Sequence, residues 1–207
     1  ATPKLLREVD IAFLSANSDV SRRLVPIAVQ QNCLVIDDSS VFRMNPNVPL
    51  VVPEVNANDL DDNQGIIAIP NCSTTPLVMT LKPLNKVNPV RRIIVDTYQS
   101  VSGTGTVAVE ELRTQSHKML AGENVESKSY PHQIAFNILP HIESFIDNGY
   151  TQEEMKMIHE TRKILHLPEL LVSATCVRVP VMVGHSEAVH IEFAEPITPS
   201  EVREILD

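Results

Sequence analysis

The chain has 207 residues, 43% of them hydrophobic, which is enough for one large domain or two small ones with real cores. Its formal net charge of -9, without a basic run or a tryptophan, argues against a nucleic-acid partner. No apolar stretch is long enough for a membrane span, and the charged segment 1–10 does not have the pattern of a signal peptide. Three widely spaced cysteines favour a reducing compartment, the cytoplasm, over a disulfide framework, and no metal site is predicted.

The first third of the chain has the pattern of a parallel β-α-β layer. Its short apolar runs predict three buried strands, at 11–14, 34–36 and 66–69. Residues 18–31 have helical spacing, with Leu24, Ile27 and Ala28 on the expected buried face and Pro26 as a site of a kink or late start. The segment 45–63 predicts a loop that contains a short strand over 50–55.

Longer strands and helices are predicted after residue 72. Apolar alternation predicts strands over 91–99, 171–180 and 187–194. Helices are expected over about 77–84, 106–120 and 152–165 and from Pro199 onward, while 121–132 is irregular. Thr151 and Thr198 are the expected caps of the last two helices.

The most informative segment is Pro70-Asn71-Cys72-Ser73-Thr74-Thr75-Pro76, between a strand and a helix. Unpaired backbone N–H groups at a helix start stabilise a thiolate, which predicts a nucleophilic role for Cys72. The polar residues after Cys72 are expected to cap the helix, and the alternative is a half-buried cysteine near a cap. Cys33 and Cys176 lie in apolar strand patterns and are predicted to be inert core residues.

A cysteine that attacks a carbonyl group needs a proton shuttle, and His185 is the strongest of seven histidine candidates. Arg178 and His185 would point to opposite faces of a regular strand, but Pro180 and Gly184 allow a bend that brings them together. Spacing alone favours a surface arginine and a turn histidine. Gln99 follows a strand and can hold a carbonyl group, although its position alone favours an ordinary polar residue at a strand end.

These residues together give the chain a resemblance to the aspartate-β-semialdehyde dehydrogenase family. The quoted segments run in the family's order over nearly the whole chain: 35–37, 40–44, 48–56, 70–74, 97–105, 134–137, 153–157, 173–180 and 184–187. The fold that this resemblance implies is α/β, with a partial Rossmann-like parallel sheet at 1–71 and an α+β catalytic and dimerisation domain with a mixed sheet at 72–207.

The resemblance also implies a role for each matching residue. Cys72 would be the acyl-accepting nucleophile, His185 the general acid/base, and Gln99 the group that positions the acyl chain. The substrate-binding residues would be Arg43 and Asn71 for phosphate, Arg178 for the α-carboxylate, Glu153 for the amino group and Lys156 for phosphate. The cofactor, NADP, would contact Ser15, Ala16, Ser40, Ser102 and Gly103.

Glu153 and Lys156 lie three residues apart on the predicted helix 152–165 and therefore share a face. Glu160 and Lys163 continue that face, so a solvated charged stripe is the alternative interpretation of the pair.

The implied reaction is the NADPH-dependent reductive dephosphorylation of L-aspartyl-4-phosphate to L-aspartate 4-semialdehyde, through a cysteine thioester. It makes a precursor of lysine, methionine and threonine, and the implied assembly is a homodimer. A reductase of another acyl phosphate, such as N-acetylglutamyl phosphate, is a rival, but Glu153 and Arg178 favour a free amino acid.

The chain departs from the family where a Gly-rich strand-to-helix turn would cradle the cofactor pyrophosphate. It has six glycines, and the corresponding later loop is Ser15-Ala16-Asn17-Ser18, without glycine. The expected explanation is a chain truncated at the N-terminus and at the C-terminus. A second class of function is therefore a non-catalytic dimerisation module of the same family.

Overall fold

A computed structural model describes residues 3–207, which fold into two compact units. The first unit contains the described residues up to Val90, with His159–Leu170 and Phe193–Asp207. The second contains Arg91–Ile158 and Leu171–Glu192. The predicted division into 1–71 and 72–207 stays a prediction.

The first unit is built on a three-stranded parallel sheet in the order β1-β2-β3. Its strands are β1 (Ile11–Leu14), β2 (Leu34–Asp37) and β3 (Ile66–Ala68), at the three predicted positions. The prediction that β1 is buried is wrong, because Ile11 and Phe13 are 48% and 76% exposed. Helix α1 (Pro3–Leu6) precedes β1, and helix α2 (Ser18–Gln30) connects β1 with β2. Two neighbouring parallel strands need such a crossover helix, because a tight turn reverses the chain and would make the strands antiparallel.

Helix α2 packs on this sheet through Val25 and Ala28, which belong to a core with Cys33 and Val35. The predicted face is correct at Ala28, and Ile27 packs against this core, but Leu24 is only half-buried and Val25, which was not predicted, is fully buried. Pro26 lies inside the helix and is exposed.

The strand predicted over 50–55 is wrong. Leu50 forms a single bridge with Ala68, and the chain then turns into helix α3 (Pro53–Asn56) and a 3-10 helix (Ala57–Asp62). The side chain of Asn56 accepts a hydrogen bond from the Val52 amide and donates to the Leu50 carbonyl. These bonds satisfy the backbone groups that strand pairing would have used, so the segment turns instead of extending.

Helix α4 (Thr74–Val87) buries Leu77, Val78, Leu81 and Leu84, the apolar face predicted from their spacing. Pro76 lies in its first turn, where its missing N–H group is not needed. Helix α7 (Pro199–Leu206) packs against α4 and begins at the predicted cap, Thr198, which also forms a capping box with Glu201.

The second unit contains a separate three-stranded mixed sheet in the order β5-β4-β6. Its strands are β4 (Val90–Gln99), β5 (Leu171–Arg178) and β6 (Ser186–Phe193), close to the predicted bounds. Parallel pairing of β4 with β5 places Gln99 beside Arg178 at the carboxyl ends of the two strands. A 3-10 helix (Val101–Thr104) and helix α5 (Thr106–Leu120) follow β4, and Val101, Ala108 and Leu112 belong to one core cluster with Ile134.

Helix α6 (Gln152–Leu165) begins with the predicted capping box. The hydroxyl group of Thr151 accepts a hydrogen bond from the Glu154 amide at 3.3 Å, and the Glu154 carboxylate accepts one from the Thr151 amide at 2.7 Å. Both residues are buried, so neither bond competes with bulk water. Within residues 3–207, no helix has the length and apolar character that a membrane crossing requires.

We predict that Thr151→Ala lowers the free energy of unfolding by about 1–2 kcal/mol, because the Glu154 amide loses its capping acceptor. Urea unfolding measures this change, and Thr151→Ser is the matched control because it keeps the hydroxyl group. Equal stability of the Ala and Ser variants would contradict a capping role.

Candidate active site

Cys72 lies in the turn between β3 and α4, at the boundary predicted from the sequence. It is the exposed member of the three cysteines, and none of the three forms a disulfide. Cys33 and Cys176 are buried, as predicted, and burial raises the pKa of the Cys176 thiol to about 12. Cys72 is therefore the cysteine that a reagent in solution can reach.

Asn71 organises the turn that carries Cys72. Its side-chain oxygen accepts a hydrogen bond from the Ser73 amide at 2.9 Å and lies 3.8 Å from the Cys72 sulfur. Ser73 occupies the cap position of α4, but its side chain makes no capping hydrogen bond, contrary to the prediction. The Ser73 amide is satisfied by the side-chain oxygen of Asn71 instead. Asn71 can reach it because it lies three residues before the first residue of the helix.

A buried ion pair lies next to this turn. The Arg43 guanidinium donates to the Glu160 carboxylate at 3.0 Å and to the Asp38 carbonyl at 2.8 Å. The second oxygen of Glu160 accepts the Asn71 amide at 2.6 Å. Arg43 and Glu160 are 7% and 1% exposed, so the solvated stripe is wrong for Glu160.

Lys163, on the same helix as Glu160, also binds residues of the first unit, through their backbone carbonyl groups. Its ammonium group donates to the carbonyl groups of Arg43, Asn45 and Val48, each at 2.7 or 2.8 Å. Burial lowers the pKa of Lys163, and the nearby Asp59 carboxylate partly opposes this effect. These three bonds hold the loop after β2 in place.

The residues predicted to contact a cofactor in the first unit lie at the carboxyl edge of its sheet. Ser15, Ala16 and Ser40 are exposed there, after β1 and β2, and Ser15 donates to the Asp38 carboxylate at 3.0 Å. This edge of a parallel sheet is where α/β proteins bind nucleotides. Exposed hydroxyl groups beside a carboxylate fit the hydroxyl groups of a sugar better than a phosphate, because a carboxylate repels an anion.

The second unit contains a buried polar cluster around Glu153. Its carboxylate accepts the Gln99 side-chain amide at 3.1 Å and the Lys156 ammonium group at 3.2 Å. Lys156 also donates to Glu143, and the two carboxylates raise the pKa of Lys156 although its burial acts in the opposite direction. Glu153 is only 4% exposed, so the solvated stripe is wrong for Glu153 as well.

Arg178 and His185 approach each other at Gly103. A Cβ atom added to Gly103 would lie 3.1 Å from an Arg178 guanidinium nitrogen and 3.3 Å from the His185 ring. Strand β5 ends at Arg178, and the bend before β6 turns His185 back to the same place. The guanidinium group donates to the Ser100 carbonyl at 2.8 Å and lies 5.9 Å from the centre of the Tyr130 ring.

The hydrogen bonds of His185 define its protonation state. The Ser100 backbone N–H donates to the ring Nδ1 atom at 3.0 Å, and the Ser100 hydroxyl group lies 3.1 Å from the same atom. A backbone N–H can only donate, so Nδ1 carries a lone pair and the proton of the neutral ring lies on Nε2. Burial and then the positive charge of Arg178 lower the pKa of His185, which favours the neutral ring further.

The structure brings the predicted residues together in separate groups within the two units. Arg43, Asn71 and Cys72 are connected in the first unit, whereas the second contains one group at Glu153 and another at Gly103. Sequence reasoning missed Glu160 and Ser100. The charged spacing on α6 pointed to Glu160, but no sequence signal distinguished a buried glutamate from a solvated one.

A parallel sheet of the nucleotide-binding type, a separate mixed sheet and an exposed cysteine at a helix start define an α/β protein with a candidate cysteine nucleophile. Residues 81–207 match the family model for the semialdehyde dehydrogenase dimerisation domain, and residues 1–63 match that for the semialdehyde dehydrogenase NAD binding domain. The chain belongs to the semialdehyde dehydrogenase family.

The similar proteins are longer than this chain. An aspartate-semialdehyde dehydrogenase of Bacillus subtilis is 49% identical over 214 residues, which cover 100% of this chain and 62% of the relative. Aspartate semialdehyde dehydrogenase II of Vibrio cholerae, solved in complex with ASA, has a TM-score of 0.95 and 46% identity over 97% of this chain and 60% of its own. The enzyme of Candida albicans, solved with NADP, has a TM-score of 0.70 and 27% identity, covering 95% of this chain and 54% of its own.

We predict that His185 is neutral at pH 7, with its proton on Nε2, and that it titrates below the usual histidine pKa of about 6.5. Nitrogen-15 NMR of the histidine rings measures both properties. Ser100→Ala is the control, because it keeps the backbone N–H and should leave the tautomer unchanged. A proton on Nδ1 in the native protein would contradict the assignment.

We predict that Gly103→Ala displaces Arg178 and His185, since the new Cβ atom would be too close to both side chains. The change should alter the His185 ring signals in NMR while the thermal unfolding curve retains one cooperative transition. Unchanged ring signals in a folded variant would show that the two side chains do not need the glycine.

Proposed function

We propose that the protein is an NADP-dependent aspartate-semialdehyde dehydrogenase that converts L-aspartyl-4-phosphate to L-aspartate 4-semialdehyde, releasing phosphate. The observation that carries this proposal is Cys72, an exposed cysteine at the start of α4 in a chain of the semialdehyde dehydrogenase family. The names of the Bacillus subtilis and Vibrio cholerae proteins support the particular substrate.

In the proposed reaction, the thiolate of Cys72 attacks the acyl carbon of aspartyl phosphate. A carbon–sulfur bond forms, the carbon–oxygen bond to phosphate breaks, and phosphate leaves with the electron pair. Hydride then reduces the resulting thioester to a thiohemiacetal, which expels the sulfur and releases the aldehyde. NADPH, when bound, would supply that hydride.

His185 is proposed to act as a proton donor. The tautomer defined by Ser100 directs an N–H group, not a lone pair, away from the Ser100 backbone. Such a group can stabilise the negative oxygen that develops during attack and can protonate it. The proposed role of His185 is therefore that of an acid rather than that of a base that activates the thiol. The family resemblance implied a general acid/base, and the proposal keeps the acid part of that role.

Charged groups of the second unit are proposed to bind the amino-acid end of the substrate. Arg178 presents a planar guanidinium group whose Nε atom is buried and has no hydrogen-bond partner among residues 3–207, which suits a bidentate carboxylate ligand. Glu153 is proposed to bind the α-amino group, and Gln99 to hold the acyl group. A carboxylate partner does not suit an acetylated amine, so an N-acetylglutamyl phosphate substrate is less favoured.

Phosphate is proposed to bind Arg43, Asn71 and Lys156. The Nε atom of Arg43 is buried and makes no hydrogen bond within the described residues, so the protein itself does not use this donor. NADP is proposed to contact Ser15, Ala16 and Ser40 in the first unit and Ser102 and Gly103 in the second. The match to the NAD binding domain supports a nicotinamide cofactor, and the NADP complex of the Candida albicans enzyme supports NADP.

A homodimer and a cytoplasmic location complete the proposal. Apolar side chains of the second unit are exposed, among them Phe136, Ile138, Val181 and Val183 at 45–73%. Their unit contains most of the dimerisation domain, which supports a second copy as the partner. Three reduced cysteines fit the cytoplasm.

We predict phosphate-dependent formation of NADPH from aspartate semialdehyde and NADP, and its loss by about four orders of magnitude or more in Cys72→Ser. Absorbance of NADPH measures the rate, and Cys33→Ser is the control for a buried cysteine. Stable dimers in ultracentrifugation without turnover would contradict the enzyme and favour the non-catalytic dimerisation module.

A further inference from the structure

Glu160 is the most deeply buried carboxylate next to the candidate nucleophile. Its side chain is 1% exposed, and each of its oxygens has a different partner. One oxygen accepts the Arg43 guanidinium at 3.0 Å, and the other accepts the Asn71 backbone N–H at 2.6 Å. A carboxylate is retained in such a place only with strong donors, and the shorter of the two bonds is to the peptide group.

The Asn71 peptide is the part of the turn that determines where Cys72 lies. Pro70 has no N–H group, so the Asn71 amide is the first backbone donor of the turn after Ile69, which donates to the Asp37 carbonyl. The Asn71 side chain in turn accepts the Ser73 amide and contacts the Cys72 sulfur. A bond that fixes the Asn71 peptide plane therefore limits the position of the thiol as well.

Arg43 is held at two points by different residues of α6. Lys163 binds the Arg43 backbone carbonyl, whereas Glu160 binds the guanidinium group. Loss of Glu160 would leave the loop and the hydrogen bond to the Asp38 carbonyl in place, but it would remove the carboxylate that neutralises the guanidinium group. The carboxylate consequently controls both the direction of Arg43 and the charge near Cys72.

We propose that Glu160 is a positioning residue that fixes the Asn71-Cys72 peptide and neutralises Arg43, so that the thiol is placed for acyl transfer. The inference rests on the proposed function of Cys72 as nucleophile. Glu160 does not touch the substrate in this proposal, since both of its oxygens are occupied within the protein. A purely structural role would change stability but not the behaviour of the thiol.

The experiment compares Glu160→Gln with Glu154→Gln in the purified protein. Glu154 is a matched control because it lies on the same helix, is 8% exposed, and also accepts two backbone amides, those of Thr151 and Cys176. Three quantities are measured: alkylation of Cys72 by iodoacetamide at pH 7, hydrogen exchange of the Asn71 amide, and phosphate-dependent turnover.

Glu160→Gln should increase Cys72 alkylation about threefold, because an Arg43 charge that is no longer neutralised favours the thiolate form. Asn71 exchange should accelerate, and turnover should fall about tenfold to a hundredfold because the thiol is misplaced. Glu154→Gln should leave all three close to native values. Glu154→Gln removes the charge of another buried carboxylate on the same helix, so it measures how much of each change lost stability alone produces.

Native alkylation, exchange and turnover in a folded Glu160→Gln protein would overturn the proposal, as would equal changes in Glu154→Gln. If Glu160→Gln does not fold, Glu160→Asp takes its place: the shorter side chain cannot reach both partners, so Asn71 exchange must still accelerate. Absence of turnover in the native protein would count against the proposed function only, because alkylation and exchange report on Glu160 without it.

Discussion

A carboxylate loses its water when it is buried, and it stays charged only if hydrogen-bond donors replace that water. Helix α6 carries three such groups, Glu153, Glu154 and Glu160, which are 4%, 8% and 1% exposed. Glu153 accepts hydrogen bonds from a side-chain amide and an ammonium group. Glu154 accepts two backbone amides, and Glu160 accepts a guanidinium group and one backbone amide. The candidate groups of each unit depend on this requirement: Gln99 is a donor in the second unit, and Arg43 and the Asn71 amide are donors in the first.

Hydrogen bonds within each unit also determine the protonation of His185 and the position of Cys72. In the second unit, burial, the positive charge of Arg178 and a backbone N–H keep His185 neutral, with its proton on Nε2. In the first unit, Asn71 occupies two hydrogen-bonding positions at once and leaves Cys72 at the surface. In neither unit is the reacting group itself the most buried one; its supporting residues are.

Much of the fold could be predicted from apolar spacing, since the strands at 11–14, 34–37 and 90–99 and the buried face of α4 follow directly from it. Capping signals located α6 and α7 equally well. The segment 50–55 was misjudged because the asparagine that directly follows it, Asn56, binds the backbone groups that a strand would have paired. Side-chain competition of this kind is a tertiary outcome that local propensity does not contain.

The candidate site was predicted less completely. Segment order pointed to Cys72, Gln99, Arg178 and His185, but it left open whether Arg178 and His185 meet, because that depends on the bend over 179–185. Glu160 was placed on a charged face without any indication that the face is buried. Burial of a charged residue depends on partners distant in sequence, here 89 and 117 positions away, and spacing along one helix carries no information about them.

The most direct test is to identify the covalent intermediate. When the protein is incubated with aspartate semialdehyde and NADP without phosphate, peptide mass spectrometry should find an aspartyl group attached as a thioester to Cys72, and phosphate should release it. An aspartyl group on Cys33 or Cys176, or a modification of Cys72 that phosphate does not discharge, would contradict a nucleophilic Cys72.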